Sequence, residues 1–239
     1  MEILRVARAI SKVLDTKSIL KFAWLYAGRT KQTTINIYGK PVLIRYGERY
    51  TLIEIFVNEC YSMPGFEVQP GYTILDLGSA IGLYTLYAEH QSGFIYTLAV
   101  EPFPLERDIY QKNTGCSALP YAINGTKHAK RTIYYNPDHP PGSGFFGLGL
   151  PAEVKTITLT ELLESNLIIN VDLMKMDIQG AEYESILFTK DEVLHKIKRM
   201  IIECHAIEGY SLNWLRRYLE RRGYTCRAKN GLLFARLKE

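Results

Sequence analysis

No stretch of this 239-residue chain is an uninterrupted apolar run of the about 18–20 residues needed to cross a bilayer. Met1 to Leu14 is broken by charges and has no signal-peptide core, so a cytoplasmic protein without a membrane span is expected. Cysteine is scarce. Cys60, Cys116, Cys204 and Cys226 form no CxxC pair and have no metal-ligand spacing, which argues against a zinc module and fits reduced thiols. There is no internal repeat and no low-complexity segment. There is also no large charge excess. The net charge is +4, distributed as +4 over residues 1–70, −4 over 71–180 and +4 over 181–239. The basic ends permit a polyanionic partner such as RNA without requiring one.

What remains is an ordinary globular composition with a patterned order. Residues 1–30 read as two short helices, with Ile3, Leu4, Ala7, Ile10 and Leu14 on one apolar face and Ile19, Leu20, Ala23 and Trp24 on another. Thr33 to Tyr38 and Val42 to Tyr46 read as strands around Gly39-Lys40-Pro41. Leu52 to Tyr61 reads as a helix, and Pro64-Gly65 and Pro70-Gly71 bracket a loop. We take residues 1–65 as an N-terminal cap and 66–239 as the main domain. In that domain strands and helices alternate, which predicts a parallel sheet. The predicted strands are Tyr72–Leu77, Ile95–Val100, Leu119–Ile123, Val171–Met176 and Met200–Cys204. Arg131–Tyr135 and Val154–Leu159 are further extended segments, and a Gly/Pro-rich loop over 140–151 reads as a mobile lid or substrate loop. Tyr224–Arg227 and Leu232–Arg236 close the chain as a hairpin around Lys229-Asn230-Gly231. Five parallel strands finished by a β-hairpin predict an α/β, Rossmann-like class I methyltransferase layout, with a seven-stranded, mostly parallel sheet.

Two stretches carry the chemistry of a nucleoside site. Asp76-Leu-Gly78-Ser79-Ala-Ile-Gly82 is a strand end followed by a glycine turn and a helix start. It lacks the central glycine of a dinucleotide fingerprint, and Asp76 would repel a pyrophosphate. An acid there suits a cationic ligand, S-adenosylmethionine (SAM), whose methionine part would approach the backbone at Gly78 and whose ammonium Asp76 would organise. Glu101, at the tip of the next strand and followed by Pro102, can accept both ribose hydroxyl protons. Asn124-Gly125 follows the third strand and could contact adenine. Further on, Lys175, Asp177 and Gln179-Gly180 sit at the tip of the strand next to the glycine turn, where a transferable group would lie. Pro141-Gly-Ser-Gly144-Phe-Phe-Gly147 lacks the Lys-Ser/Thr ending of a phosphate loop, and Asn136-Pro137-Asp138-His139 is a poor match to an amino-methylating signature.

Taken together, Leu75-Asp-Leu-Gly78-Ser-Ala-Ile-Gly82, Val100-Glu101-Pro102-Phe-Pro104, Leu173-Met-Lys175-Met-Asp177-Ile-Gln-Gly180-Ala-Glu182 and Ile201-Ile-Glu203-Cys-His205 resemble the FkbM family of SAM-dependent methyltransferases. The resemblance spans roughly residues 50 to 235. It departs at Ile81, where members usually have Asn, and at Gln179, where they usually have Glu. The resemblance implies methyl transfer to a hydroxyl oxygen of a sugar or other small-molecule acceptor. Such a hydroxyl needs a base, and Asp177 and His205 are the candidates, with Glu203 to orient His205 or Lys175. Asp177, Glu203 and His205 would suit a divalent ion, but the expectation is no metal. RNA methylation, and a non-catalytic SAM-binding or scaffold role, are the competing readings. The oligomeric state is not legible.

Overall fold

The computed structural model describes residues 9–126, 130–136, 143–144 and 149–238. The expectations for Met1 to residue 8, for Asn-Pro-Asp-His beyond residue 136 and for most of the loop over 140–148 lie outside them. Residues 9–13 are helical, and α1 is Thr16–Tyr26, begun by Asp15, whose side chain accepts from the Ser18 N–H. A hairpin follows, β1 (Gln32–Ile37) and β2 (Lys40–Arg45), turning at Tyr38-Gly39 with φ of 50° and 81°. That two-residue turn is one position earlier than expected, because Pro41 can be strand edge but cannot sit at either left-handed position. Helix α2 is Arg49–Phe56.

The main sheet is formed by β3 (Thr73–Leu77), β4 (Tyr96–Val100), β8 (Leu173–Met176), β9 (Arg199–Glu203), β10 (Tyr224–Lys229) and β11 (Leu232–Leu237). Its order is β10-β11-β9-β8-β3-β4, with β11 antiparallel to both neighbours and the remaining pairs parallel. The closing hairpin turns at Asn230-Gly231, both with positive φ, as the Asn-Gly signal requires. Helices α3 (Leu83–Ser92), α4 (Pro104–Thr114), α5 (Leu159–Ser165), α6 (Glu182–Leu187), α7 (Asp191–Leu194) and α8 (Leu212–Glu220) flank it.

Alternation along each strand feeds two cores, one per face. Ile74, Leu173, Ile201 and Phe234 pack on one side, while Leu75, Met174, Ile202 and Leu233 pack on the other. Strands buried on both faces are the mark of a sheet covered by helices. The first core also contains Leu25, Ile44 and Leu52, so the cap shares a hydrophobic core with the sheet.

The expected seven-stranded sheet has six strands among the described residues. The seventh place is held only by an isolated parallel bridge from Leu119 to Val100. The next donor of that ladder would be the Tyr121 N–H, but it turns back to Leu119 O at 3.0 Å, and the chain leaves the sheet. The segment then gives β5 (Ala122–Ile123), which joins β7 (Leu150–Ile157) and β6 (Lys130–Tyr135) in a separate three-stranded sheet, order β5-β7-β6. This small sheet packs through Phe103, Ala122, Ile133 and Val154 beside the C-terminal tip of β4.

Candidate functional site

Between β3 and β8 the strand order reverses direction of build, since β3 has β4 on one side and β8 on the other. In an open α/β sheet a ligand binds outside the strand tips at such a point. A cavity lies there. Its floor is Gly78, Ser79 and Ala80; Glu101, Pro102 and Phe103 line the far side, and Asp177 the near side. Thr51, Ile55 and Tyr61 of the cap wall it, as do Ile133 and Gly144 near the small sheet.

The glycine turn is built on backbone contact. A Cβ placed on Gly78 would lie 1.8 Å from the Asp177 carbonyl oxygen, and Gly78 has φ of +73°. The tips of β3 and β8 therefore touch through main chain, closed by the Asp177 N–H donating to Leu77 O at 3.1 Å. Beneath the turn, the Lys175 ammonium donates to Gly78 O at 2.7 Å and lies 3.5 Å from Asp76 Oδ1 and 3.8 Å from Asp177 Oδ2. Lys175 is buried; burial alone would lower its pKa, but Asp76, Asp177 and Glu203 outweigh that and raise it. It is held charged and acts as a strut for the turn. Replacing it by Met leaves two carboxylates without their cation. We expect Lys175→Met to cost about 3–5 kcal/mol in chemical denaturation; an unchanged midpoint would show the strut to be dispensable.

Asp76 is placed differently from the sequence expectation. It is fully buried and does not line the cavity. Oδ2 accepts from Thr85 Oγ1 at 2.8 Å, and Thr85 Oγ1 lies 3.1 Å from the Tyr110 hydroxyl. Burial raises the Asp76 pKa and Lys175 opposes the rise. Asp76 thus ties the end of β3 to the start of α3. Asn124 is also drawn elsewhere: Nδ2 donates to Thr126 O and Oδ1 accepts from Arg131, and it is Ala122 and Ile123 that reach the cavity. Gly82 and Ile81 pack the turn against its surroundings. Ile81 is 1 % exposed within the cap-side core, and its carbonyl accepts from Asn113, which also pairs with Leu43 of β2.

Glu101 stands where expected. Oε2 accepts from the Ala80 N–H at 3.0 Å and Oε1 from the Phe103 N–H at 2.9 Å, which leaves each oxygen a lone pair. Burial pushes its pKa up to about 8, against the pull of those two N–H groups. Ser79 Oγ is buried at the cavity floor with no hydrogen-bond partner. An orphaned hydroxyl and a half-satisfied carboxylate facing one apolar cavity fit a nucleoside with free hydroxyls.

Past Asp177 lies a second group of polar side chains. Asp177 Oδ1 accepts from Gln179 Nε2 at 3.0 Å and lies 4.0 Å from His205 Nε2. Gln179 thus contributes a neutral donor where a glutamate would set one carboxylate on another. His205 Nδ1 is 2.9 Å from Glu182 Oε1. Glu182 is fully buried, and its carboxylate also accepts from the N–H groups of Ile178 and Gly180. Burial alone would lower the His205 pKa; Glu182 first, then Asp177 and Glu203, lift it to about 9. Glu203 is pushed up to about 7 by burial and by Asp177. Glu182, not Glu203, orients the imidazole. The sequence signal was present in Gly180-Ala-Glu182, an acid in the first turn of a helix whose preceding N–H groups need an acceptor. Ligand atoms of Asp177, Glu203 and His205 lie within 4.8 Å of one another, and this is the one such group among the described residues. Two carboxylates and an imidazole have the donor character of a divalent-cation site.

A parallel sheet with an antiparallel closing hairpin, a glycine turn at the reversal point and a buried carboxylate on the adjacent tip are the features of a class I SAM-dependent methyltransferase. The methyltransferase FkbM domain model matches residues 76–226, more than half of the chain, and the chain belongs to that family. The 31-O-demethyl-FK506 methyltransferase FkbM of Streptomyces tacrolimicus is 23% identical over 219 residues, covering 76% of this chain and 84% of that protein. Methyltransferase sdnD of Sordaria araneosa is 23% identical over 195 residues, covering 65% of this chain and 74% of that protein. Among solved structures, the FkbM methyltransferase of Methylobacillus flagellatus KT aligns with a TM-score of 0.49 at 13% identity, over 79% of this chain and 53% of that one.

Proposed function

We propose that this enzyme methylates a hydroxyl oxygen of a small-molecule or glycosidic acceptor, with His205 as the base. The observation that carries the reading is the chain Glu182–His205–Asp177, whose last member, Asp177, lines the cavity. Glu182 holds the imidazole through Nδ1, which leaves Nε2, 4.0 Å from Asp177, as the nitrogen that would meet an acceptor. When bound, SAM supplies an electrophilic methyl group on a sulfonium. Glu101 would hold the ribose, Ser79 and Pro102 would border the nucleoside, and the backbone at Gly78 and Gly82 would shape its floor. Asp177 would hold the acceptor hydroxyl in line, and His205 Nε2 would take its proton as the new bond forms. No metal is needed for this, and turnover is expected to survive EDTA.

Methyl transfer from labelled SAM to a panel of sugars and hydroxylated small molecules, run beside bulk tRNA and rRNA, tests the acceptor class. Label on RNA alone would overturn the reading in favour of an RNA methyltransferase; SAM binding without transfer to any acceptor would favour a scaffold role. The cofactor half has its own signature. Ribose hydroxyls donate to the ionised form of Glu101, whose pKa is raised to about 8 in the free protein. SAM affinity should therefore increase about tenfold per pH unit below that value and level off above it. Glu101→Gln should abolish the dependence and weaken binding about ten- to hundredfold at pH near 8.5, as loss of charge-assisted hydrogen bonds implies. Isothermal calorimetry across pH reads both; a flat profile in the unmodified enzyme would remove Glu101 from the ribose.

A further inference from the structure

The cap carries a surface that the transfer chemistry does not use. From residue 16 to residue 50 the chain has seven Lys or Arg residues and one acid, Glu48. Glu48 is buried and paired with Arg45, so it offers no negative charge to the surface. Helix α1 buries Ser18, Phe22 and Leu25. Its opposite face presents Lys17, Leu20, Lys21 and Trp24, spaced as neighbours on successive turns, with Leu20 62% and Trp24 59% exposed. Beside them lie Tyr26, Tyr46 and Tyr50, all exposed. The Tyr26 and Tyr50 rings meet edge-on at 5.6 Å. Arg29 lies 5.7 Å from the Trp24 ring centroid. Lys31 is exposed close by in sequence.

An amphipathic helix normally turns its apolar residues inward, yet here a leucine and a tryptophan share the outward face with lysines. That combination is the chemistry of an interfacial anchor: apolar side chains to enter the headgroup boundary, a tryptophan to sit at it, and cations for anionic lipid. We infer that this face of the cap, centred on Leu20 and Trp24, binds the surface of an anionic phospholipid bilayer. Charge complementarity selects anionic lipid over neutral lipid. Two details select a bilayer over a nucleic acid. The Arg49 guanidinium already covers the Tyr46 ring at 3.6 Å and the Tyr50 ring at 4.2 Å, so those rings are not open platforms for base stacking. Leu20, the most exposed of the group, offers nothing to a phosphate or a base. The face is also continuous with the site, since α2 carries Arg49 and Tyr50 in the patch and Thr51 and Ile55 in the cavity wall.

Co-sedimentation of the full chain with phosphatidylcholine vesicles, with and without 50 mol% phosphatidylglycerol, tests this. We expect binding to the anionic vesicles that weakens with salt, and at least a tenfold loss in Leu20→Ser/Trp24→Ser and in Lys17→Glu/Lys21→Glu. Both variants alter exposed side chains, so thermal melts and SAM affinity should match the parent, which separates this result from any failure of the methyl-transfer reading. No binding to anionic vesicles at low salt would overturn the inference. So would vesicle binding that is indifferent to Leu20→Ser/Trp24→Ser. Binding of poly(U) that displaces the vesicles and survives that double substitution would assign the face to nucleic acid instead.

Discussion

His205→Ala is expected to lower kcat/KM by about 10²- to 10⁴-fold, the range for loss of a positioned base, with SAM affinity nearly unchanged. The pH profile gives the sharper test. With its pKa raised to about 9, His205 is mostly imidazolium at neutral pH, and only the neutral form can accept a proton. The rate should therefore climb with pH, about tenfold per unit, and level off near 9. Glu182→Gln removes the anion that most favours the imidazolium. Its inflection should move down toward the ordinary histidine range while the plateau falls, because the ring loses its fixed orientation. A structural histidine would produce no such displacement. Retention of the full rate in His205→Ala would transfer the base to Asp177, and the parallel assay of Asp177→Asn would show it.

Among the described glycines, Gly78 is where an added methyl group (Gly78→Ala) should do the most damage. The added carbon would meet the Asp177 carbonyl oxygen at 1.8 Å and its carbon at 2.9 Å, both main-chain atoms of the neighbouring strand. No side-chain rotation relieves that contact, and φ of +73° adds strain for any residue with a Cβ. The tips of β3 and β8 would have to separate, taking with them the Lys175 bond to Gly78 O and the Asp177 bond to Leu77 O. Destabilisation above about 4 kcal/mol is expected, a fall in Tm of roughly 8–16 °C for a chain of this size, together with loss of SAM binding. Gly39→Ala is the control. Its φ is +81° but nothing lies within 4 Å of the added carbon, so only the backbone cost of about 1–2 kcal/mol applies. Equal melts for the two variants would show that backbone strain, and not the strand contact, sets the requirement at Gly78.

Local pattern carried much of this structure. Both hairpins, the strand containing Asp76 and the strand ending at Val100 follow from apolar runs and turn residues that can be read in a window of ten residues. Glu101 was legible for the same reason, since a strand end and its tip are local facts. Asp76 and Asn124 were not. Each sits at the right place along the chain, but the direction of its side chain depends on distant partners: Thr85 and Lys175 for one, Arg131 for the other.

The alternating α/β order, the family and the positions of the strand tips are written in the order of the residues, because these rest on periodicity and on turn chemistry within short spans. Which polar groups meet depends on the folded chain as a whole. Lys175 becomes a strut because burial forces it toward the carbonyl of Gly78, ninety-seven positions away in the chain. Glu182 orients His205 because a buried carboxylate must find its donors, and the nearest are two backbone N–H groups and an imidazole from the adjoining strand. The third predicted strand left the main sheet where the Tyr121 N–H turned back to Leu119 O instead of reaching β4, and the cap became part of the core because Leu25, Ile44 and Leu52 bury their side chains with the sheet residues of that face.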